Sequence, residues 1–136
     1  MRAFYVILLL SLCACRTPTT QLQANLPALT FENPAWQPHS SYMAHVMSSV
    51  QKKWERLLLE ARVYPGSGKD VAVRFRLGAQ KGEVLEILEV DGTANAIGKR
   101  CCVLAVTSAA PFGAWTPEMR NDLGEDQELT FRFFYQ

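Results

Sequence analysis

From Tyr42 onward the apolar positions of this chain fall on two clear periods. Tyr42, Val46, Val50, Trp54, Leu57 and Leu58 recur at steps of three and four, with Lys52, Lys53, Glu55 and Arg56 between them. That spacing lines up one face of a helix. Ser40 or Ser41 supplies a candidate N-cap, and Tyr64-Pro65-Gly66-Ser67-Gly68 ends the helix with residues that cannot continue it. The period then changes to two. Val71, Val73, Phe75 and Leu77 alternate with Ala72, Arg74 and Arg76, a turn follows from Gly78 to Gly82, and a second apolar segment runs from Val84 to Val90. This pattern predicts a hairpin. In its second strand Val84, Leu88 and Val90 share one parity while Leu85 and Ile87 share the other, so the register stays open.

Asp91-Gly92 turns the chain into a second helix, about 94–108, with Ile97, Cys101, Leu104 and Ala105 as its apolar stripe. Gly98 weakens that helix by about 1 kcal/mol relative to alanine. After Pro111 and Pro117 an irregular crossing leads to Leu129, Phe131, Phe133 and Tyr135, alternating with Thr130, Arg132 and Phe134. The expected fold is α+β, with two helices packed on a three-stranded antiparallel sheet. If the second helix returns the chain to the far end of the sheet, the last strand runs antiparallel to the first, which gives the order 2-1-3. The last strand is then an edge whose free N–H and C=O groups can accept another strand. Thr130, Arg132 and Phe134 become the candidate partner-binding positions. The alternative is an edge covered by the chain's own N-terminal tether.

The N-terminus follows a different logic. Arg2 gives a short positive region, Ala3 to Leu12 an apolar run, and Leu12-Cys13-Ala14-Cys15 a small-residue cleavage site ending in cysteine. This is the order of a secretory signal, and Arg16, Thr17 and Pro18 end the run well short of the roughly 20 apolar residues a spanning helix needs. Residues 12–15 resemble a lipobox, which implies cleavage of a signal peptide 1–14 and fatty acylation of Cys15. Acyl chains contribute about 0.8 kcal/mol per buried CH₂, so an anchor with more than one chain is effectively permanent. Residues 16–38 hold Pro18, Pro27, Pro34 and Pro38 and almost no charge. They read as a tether following Cys15, with Trp36 packing back on the domain. The domain itself is expected at 39–136, enough chain for one core and too little for two.

The full sequence carries a formal net charge of +1, and loss of Arg2 with the signal leaves 13 basic against 13 acidic residues. They are interspersed, with no Lys/Arg stripe and interleaved aromatics to follow a phosphate backbone, so nucleic acid is not an expected partner.

The succession helix, strand, strand, helix, strand over about 42–135 has further markers. These are Tyr42…Trp54, Val71-x-Val73-x-Phe75-x-Leu77 followed by Gly82-x-Val84, Ala109-Ala110-Pro111-Phe112 followed by Pro117, and Leu129-x-Phe131-x-Phe133-x-Tyr135. In order and spacing they resemble the C-terminal domain of the TolA/TonB family. Asp91-Gly92-Thr93 replaces the family's Ser-Ser-Gly-like turn, and Cys101-Cys102 stands where small or aliphatic residues are usual. The resemblance implies a non-enzymatic protein-binding module that engages partner segments largely by strand addition.

Catalytic patterns fail on spacing or context. Gly66-Ser67-Gly68-Lys69 is similar to the end of a phosphate loop, but Val63 stands at the first glycine position, Asp70 at the metal-binding hydroxyl, and a strand follows instead of a helix. His45 and Ser49 share a helical face without a carboxylate to orient the imidazole. His39 and His45 lack a CxxC or HExxH partner, so no metal or cofactor is expected. Glu83, Glu86 and Glu89 read as solvated strand positions. Adjacent helical side chains point about 100° apart, so Cys101 can face the core and Cys102 its flank; two buried or half-buried thiols are expected, and an intermolecular or redox role for Cys102 is the alternative.

Together these readings describe a lipoprotein on the periplasmic face of a cell envelope, lipid-anchored to the outer membrane in preference to the inner because Arg16 and not aspartate follows Cys15. Its expected partner is an envelope protein or peptide segment, with no small-molecule substrate. Two alternatives come from other classes: an assembly subunit of a trans-envelope complex, and a thiol-dependent enzyme.

Overall fold

A computed structural model of the protein describes residues 28–62 and 65–135. The signal 1–14, Cys15 and the tether as far as residue 27 lie outside them. The described chain forms β1 (Ala28–Thr30), a 3₁₀ turn (Pro34–His39), α1 (Ser40–Ala61), β2 (Lys69–Gly78), β3 (Val84–Asp91), α2 (Ala96–Ala109), α3 (Pro117–Leu123) and β4 (Asp126–Tyr135). All four strands belong to one antiparallel sheet in the order β1-β4-β2-β3.

This corrects the expected two helices on three strands. The sub-order β4-β2-β3 does correspond to the expected 2-1-3, but β1 adds a fourth strand outside β4, so β4 is no longer a simple edge. Three residues are too few to display a period, which is why the sequence gives no strand signal there. The third helix was hidden in the segment read as an irregular crossing. Thr116 caps it by accepting from Met119 N at 3.1 Å, Pro117 opens its first turn, and Met119 and Leu123 bury one face.

α1 buries Met43, Val46, Val50, Trp54 and Leu58, the predicted stripe shifted slightly around the helix axis. Neither Ser40 nor Ser41 caps it: the 3₁₀ turn runs directly into α1, and His39 at the cap position makes no side-chain capping bond. At the other end Arg62 adopts a left-handed conformation and its N–H closes on Leu58 O at 3.1 Å. α2 is rotated further from expectation. Gly98, Cys101, Cys102, Ala105 and Val106 face the core, while Ile97 is 50% and Leu104 37% exposed. Small residues win this face because the surroundings are close: a Cβ on Gly98 would meet Pro65 Cγ at 2.6 Å and Ala94 Cβ at 3.1 Å.

The open register of β3 has a simple cause. Arg74 pairs with Glu89 and Phe75 with Ile87, which skips Leu88; Arg76 pairs with Glu86 and Leu77 with Val84, which skips Leu85. Two bulges therefore reset the alternation and put Val84, Ile87 and Val90 on one face despite their mixed parity. That face of the sheet meets α1 and α2. Val71, Val73, Phe75 and Leu77 of β2 and Leu129, Phe131, Phe133 and Tyr135 of β4 are all buried there.

The centre of the core is polar as well as apolar. Trp54 lies edge-on to Phe133 (4.9 Å, 76°) and Tyr135 (5.1 Å, 72°). Its Nε1 donates to Tyr135 Oη at 3.2 Å, the Tyr135 hydroxyl donates to Gly98 O at 3.0 Å, and Cys102 Sγ lies 3.4 Å from the same oxygen. A second aromatic group seats the N-terminal segment. Trp36 meets Trp115 edge-on at 5.3 Å and stacks on Tyr42 at 6.1 Å, and Tyr42 Oη donates to Gly113 O at 2.7 Å. Residues 28–38, read as tether, thus supply a strand and a buried tryptophan to the domain.

Candidate functional site

The face of the sheet away from the helices is open to solvent, and strict alternation in β4 fixes what it presents. With Leu129, Phe131, Phe133 and Tyr135 directed inward, Thr130, Arg132 and Phe134 point out. The three predicted partner-binding residues are brought together. They line, with Thr30, Phe31 and Glu32, a shallow groove of about 550 Å³. Phe134 keeps 38% of its surface exposed.

β1 forms one wall of this groove. Its register sets Ala28 opposite Phe134, Leu29 opposite Phe133 and Thr30 opposite Arg132. Leu29 and Phe31 pack toward the core, and Phe31 meets Phe131 edge-on at 5.5 Å. The three-residue strand therefore covers β4 over 132–134. Among the described residues, 126–131 of β4 have no strand on that side. Of the two alternatives left open by the sequence, a covered edge and a free one, each holds for part of β4.

Charge on the open face is organised around β2. Arg74 lies 3.2 Å from Glu89 and 3.4 Å from Glu128, and Arg76 lies 3.5 Å from Glu128 and 3.9 Å from both Glu86 and Asp126. These pairs are solvent-exposed and individually worth about 1 kcal/mol or less, but they engage both guanidinium groups from both sides. Arg132 has no ion pair with any described residue. It faces Thr30 across β1 and Ala72 across β2, and it borders a second shallow depression lined by Ala72, Arg74, Glu89, Asp91 and Thr130.

Other sequence candidates fall elsewhere. Ser49 Oγ donates to the main-chain oxygen of His45 at 2.9 Å, ordinary back-bonding within a helix, so the two side chains do not form a base–nucleophile pair. Gly66 and Gly68 have positive φ in a turn whose Gly68 N–H closes on Tyr135 O at 2.7 Å, which makes the segment a lead-in to β2. Glu86 and Glu89 join the ion pairs above, and Glu83 accepts from Lys81 N at 2.8 Å. Cys101 and Cys102 are both buried, as expected, with Cys102 turned fully into the core and not onto a flank, and desolvation pushes its thiol up to about 12. Burial also raises Cys101, although Arg100 partly opposes this. Burial thus favours the protonated form of both thiols.

The sequence reading missed one tie. His39 Nε2 lies 2.9 Å from Asp122 Oδ2 and joins the 3₁₀ turn to α3 across 83 positions of sequence. No local pattern announces so distant a pair. Among the described residues no group of three or more His, Cys, Asp or Glu side chains is placed to hold a metal ion, and no helix is long and apolar enough to cross a membrane.

Comparison with known proteins finds no matching family model, no similar curated protein and no matching solved structure.

Proposed function

We propose that this protein is a lipid-anchored envelope binding module, similar in type to the TolA/TonB C-terminal domain, that takes up a segment of a partner protein as an added strand on β4. The observation that carries the reading is β1 itself. An extended segment of only three residues, Ala28–Thr30, already pairs along the outer edge of β4, so the edge accepts a strand with little sequence demand. Beside it lies the groove with Thr130, Arg132 and exposed Phe134. Main-chain pairing gives affinity on such an edge, and alternate side chains meeting Arg132 and Phe134 give selectivity. A partner either extends along 126–131 or displaces β1, and a three-residue strand is a weak competitor. The lipobox-like Leu12-Cys13-Ala14-Cys15 supplies the envelope location.

The test is crosslinked pull-down from intact envelopes followed by amide chemical-shift mapping with the captured segment. Perturbations over 126–134 are expected, and Leu29→Pro, which breaks β1 pairing, should strengthen capture. Silence of β4 with shifts confined to α1 or the Cys101-Cys102 region would refute strand addition. Acyl mass on the N-terminal peptide, and its loss together with membrane attachment in Cys15→Ser, tests the anchor separately.

A further inference from the structure

Charges that are interspersed in sequence are separated by the fold. The strand pairings define two ends of the domain. At one end lie Ala28, where the described chain begins, the end of β4 opposite Lys69, the last turn of α1 and the first turn of α2. Pro65 against Gly98, and the Tyr135 hydroxyl on Gly98 O at 3.0 Å, hold these pieces together. Arg62, Lys69, Lys99 and Arg100 sit at this end, and none of them forms an ion pair with a described residue. Of its acidic groups Glu60 is paired with Arg56 at 3.5 Å, while Asp70 and Asp91 accept only from Thr93 and Gly92 N and keep their charge, which leaves four unpaired basic groups against two carboxylates. Two apolar side chains also stand out here, Leu59 at 79% and Ile97 at 50% exposure. The opposite end carries Glu83, Glu118, Asp122, Glu125 and Asp126 against Lys81 and Arg120.

We propose that the basic end is a membrane-contacting surface. Leu59 and Ile97 enter the interfacial layer of an anionic bilayer while Arg62, Lys69, Lys99 and Arg100 meet its phosphate headgroups. The inference rests on the anchor reading of Cys15, and chain length supplies its second support. Only the 12 residues 16–27 separate Cys15 from β1. Fully extended they reach about 40 Å, close to the roughly 33 Å length of ten-residue β4, so an unoriented domain is free to tumble. The chain enters at the basic end, and attraction between that end and acidic lipid removes the freedom. The acidic end, with the uncovered 126–131 stretch of β4, then points away from the membrane toward a partner. Each basic side chain at an anionic surface changes partitioning about fivefold, and the effect is lost within a Debye length of roughly 8 Å at physiological salt.

Lysine footprinting of the full acylated protein tests this. It is reconstituted into vesicles of phosphatidylethanolamine with phosphatidylglycerol, or of phosphatidylcholine alone, and labelled with a water-soluble amine reagent. Lys69 and Lys99 should label several-fold more slowly on the anionic vesicles, while Lys81 at the acidic end labels equally on both. High salt, and the pair Arg62→Glu with Arg100→Glu, should abolish the difference. If Lys69, Lys99 and Lys81 keep the same relative rates on both vesicles while Cys15 carries its acyl mass, the surface is refuted and the anchor stands. Absence of acyl mass refutes the anchor instead. The surface is then read by the same footprint on protein added to preformed vesicles, where unchanged Lys69 and Lys99 labelling again overturns it.

Discussion

Replacing Tyr135 by phenylalanine removes one oxygen from the centre of the core and leaves the ring in place. That oxygen accepts from Trp54 Nε1 at 3.2 Å, donates to Gly98 O at 3.0 Å and contacts Cys102 Sγ at 3.4 Å. Trp54 is fully buried, so its N–H loses its partner without gaining water, and the Gly98 carbonyl loses its side-chain donor. An unsatisfied buried group costs about 1–3 kcal/mol, and Gly98 O keeps a second lone pair to use, so Tyr135→Phe should cost about 2–4 kcal/mol in all. Trp54→Phe removes the stranded donor as well as part of a ring. The double variant should therefore be more stable than the two single losses added together predict, by about 1–2 kcal/mol, because the orphaned N–H is absent from it. Urea denaturation of the four proteins, with equal slopes, gives the cycle. A Tyr135→Phe loss under about 0.5 kcal/mol, or strict additivity, would show that the hydroxyl network does not hold the core.

The Cys102 thiol titrates at about 12 in the folded protein and near 9 when unfolded, so above 9 the unfolded chain binds fewer protons and stability falls with pH, by up to about 4 kcal/mol. Tyr135, also raised by burial, adds in the same direction at higher pH, and Cys102→Ala should flatten the first part of the slope in urea titrations; an unchanged slope refutes the assignment. Gly92→Ala should destabilise by at least about 1–3 kcal/mol, since φ is 135° there and a Cβ would lie 2.3 Å from Asp70 O; a neutral result in thermal melts would show that the turn rearranges freely. Trp36→Ala should cost about 3–5 kcal/mol, the usual loss on emptying a buried aromatic site, and a change in melting within error would mean that 28–39 is not part of the cooperative unit.

What could be read from the sequence was whatever repeated often enough to show a period. α1 spans 22 residues, and β2 and β4 ten each, with one inward face apiece, and these elements stand where the pattern put them. β1 is too short for any period, and the two bulges in β3 erase the one it has. α3 did leave a local signature, Thr116-Pro117 followed by Met119 and Leu123 four apart, which the prolines on either side obscured. Half of the expected α2 stripe is buried, Cys101 and Ala105, whereas Ile97 and Leu104 give way to Gly98, Cys102 and Val106. Ile97 and Leu104 are the more hydrophobic residues, but the close approach of Pro65 and Ala94 at Gly98 sets which face turns inward. At the site, alternation was enough to set Thr130, Arg132 and Phe134 on one face, whereas the strand that walls them in comes from a hundred residues earlier and has no local signal.

The place of β4 in the sheet also governs when the domain can exist. β4 lies between β1 and β2, yet it follows every other described element along the chain. A polypeptide leaving a ribosome N-terminus first presents β1 and the β2–β3 hairpin with no strand to join them. Leu129, Phe131, Phe133 and Tyr135, the share of the core that β4 supplies, are withheld until position 135 has emerged. Assembly is therefore deferred until β4 has emerged and occurs as one late closure over long sequence separations. Until then the β2–β3 hairpin stands with one edge open.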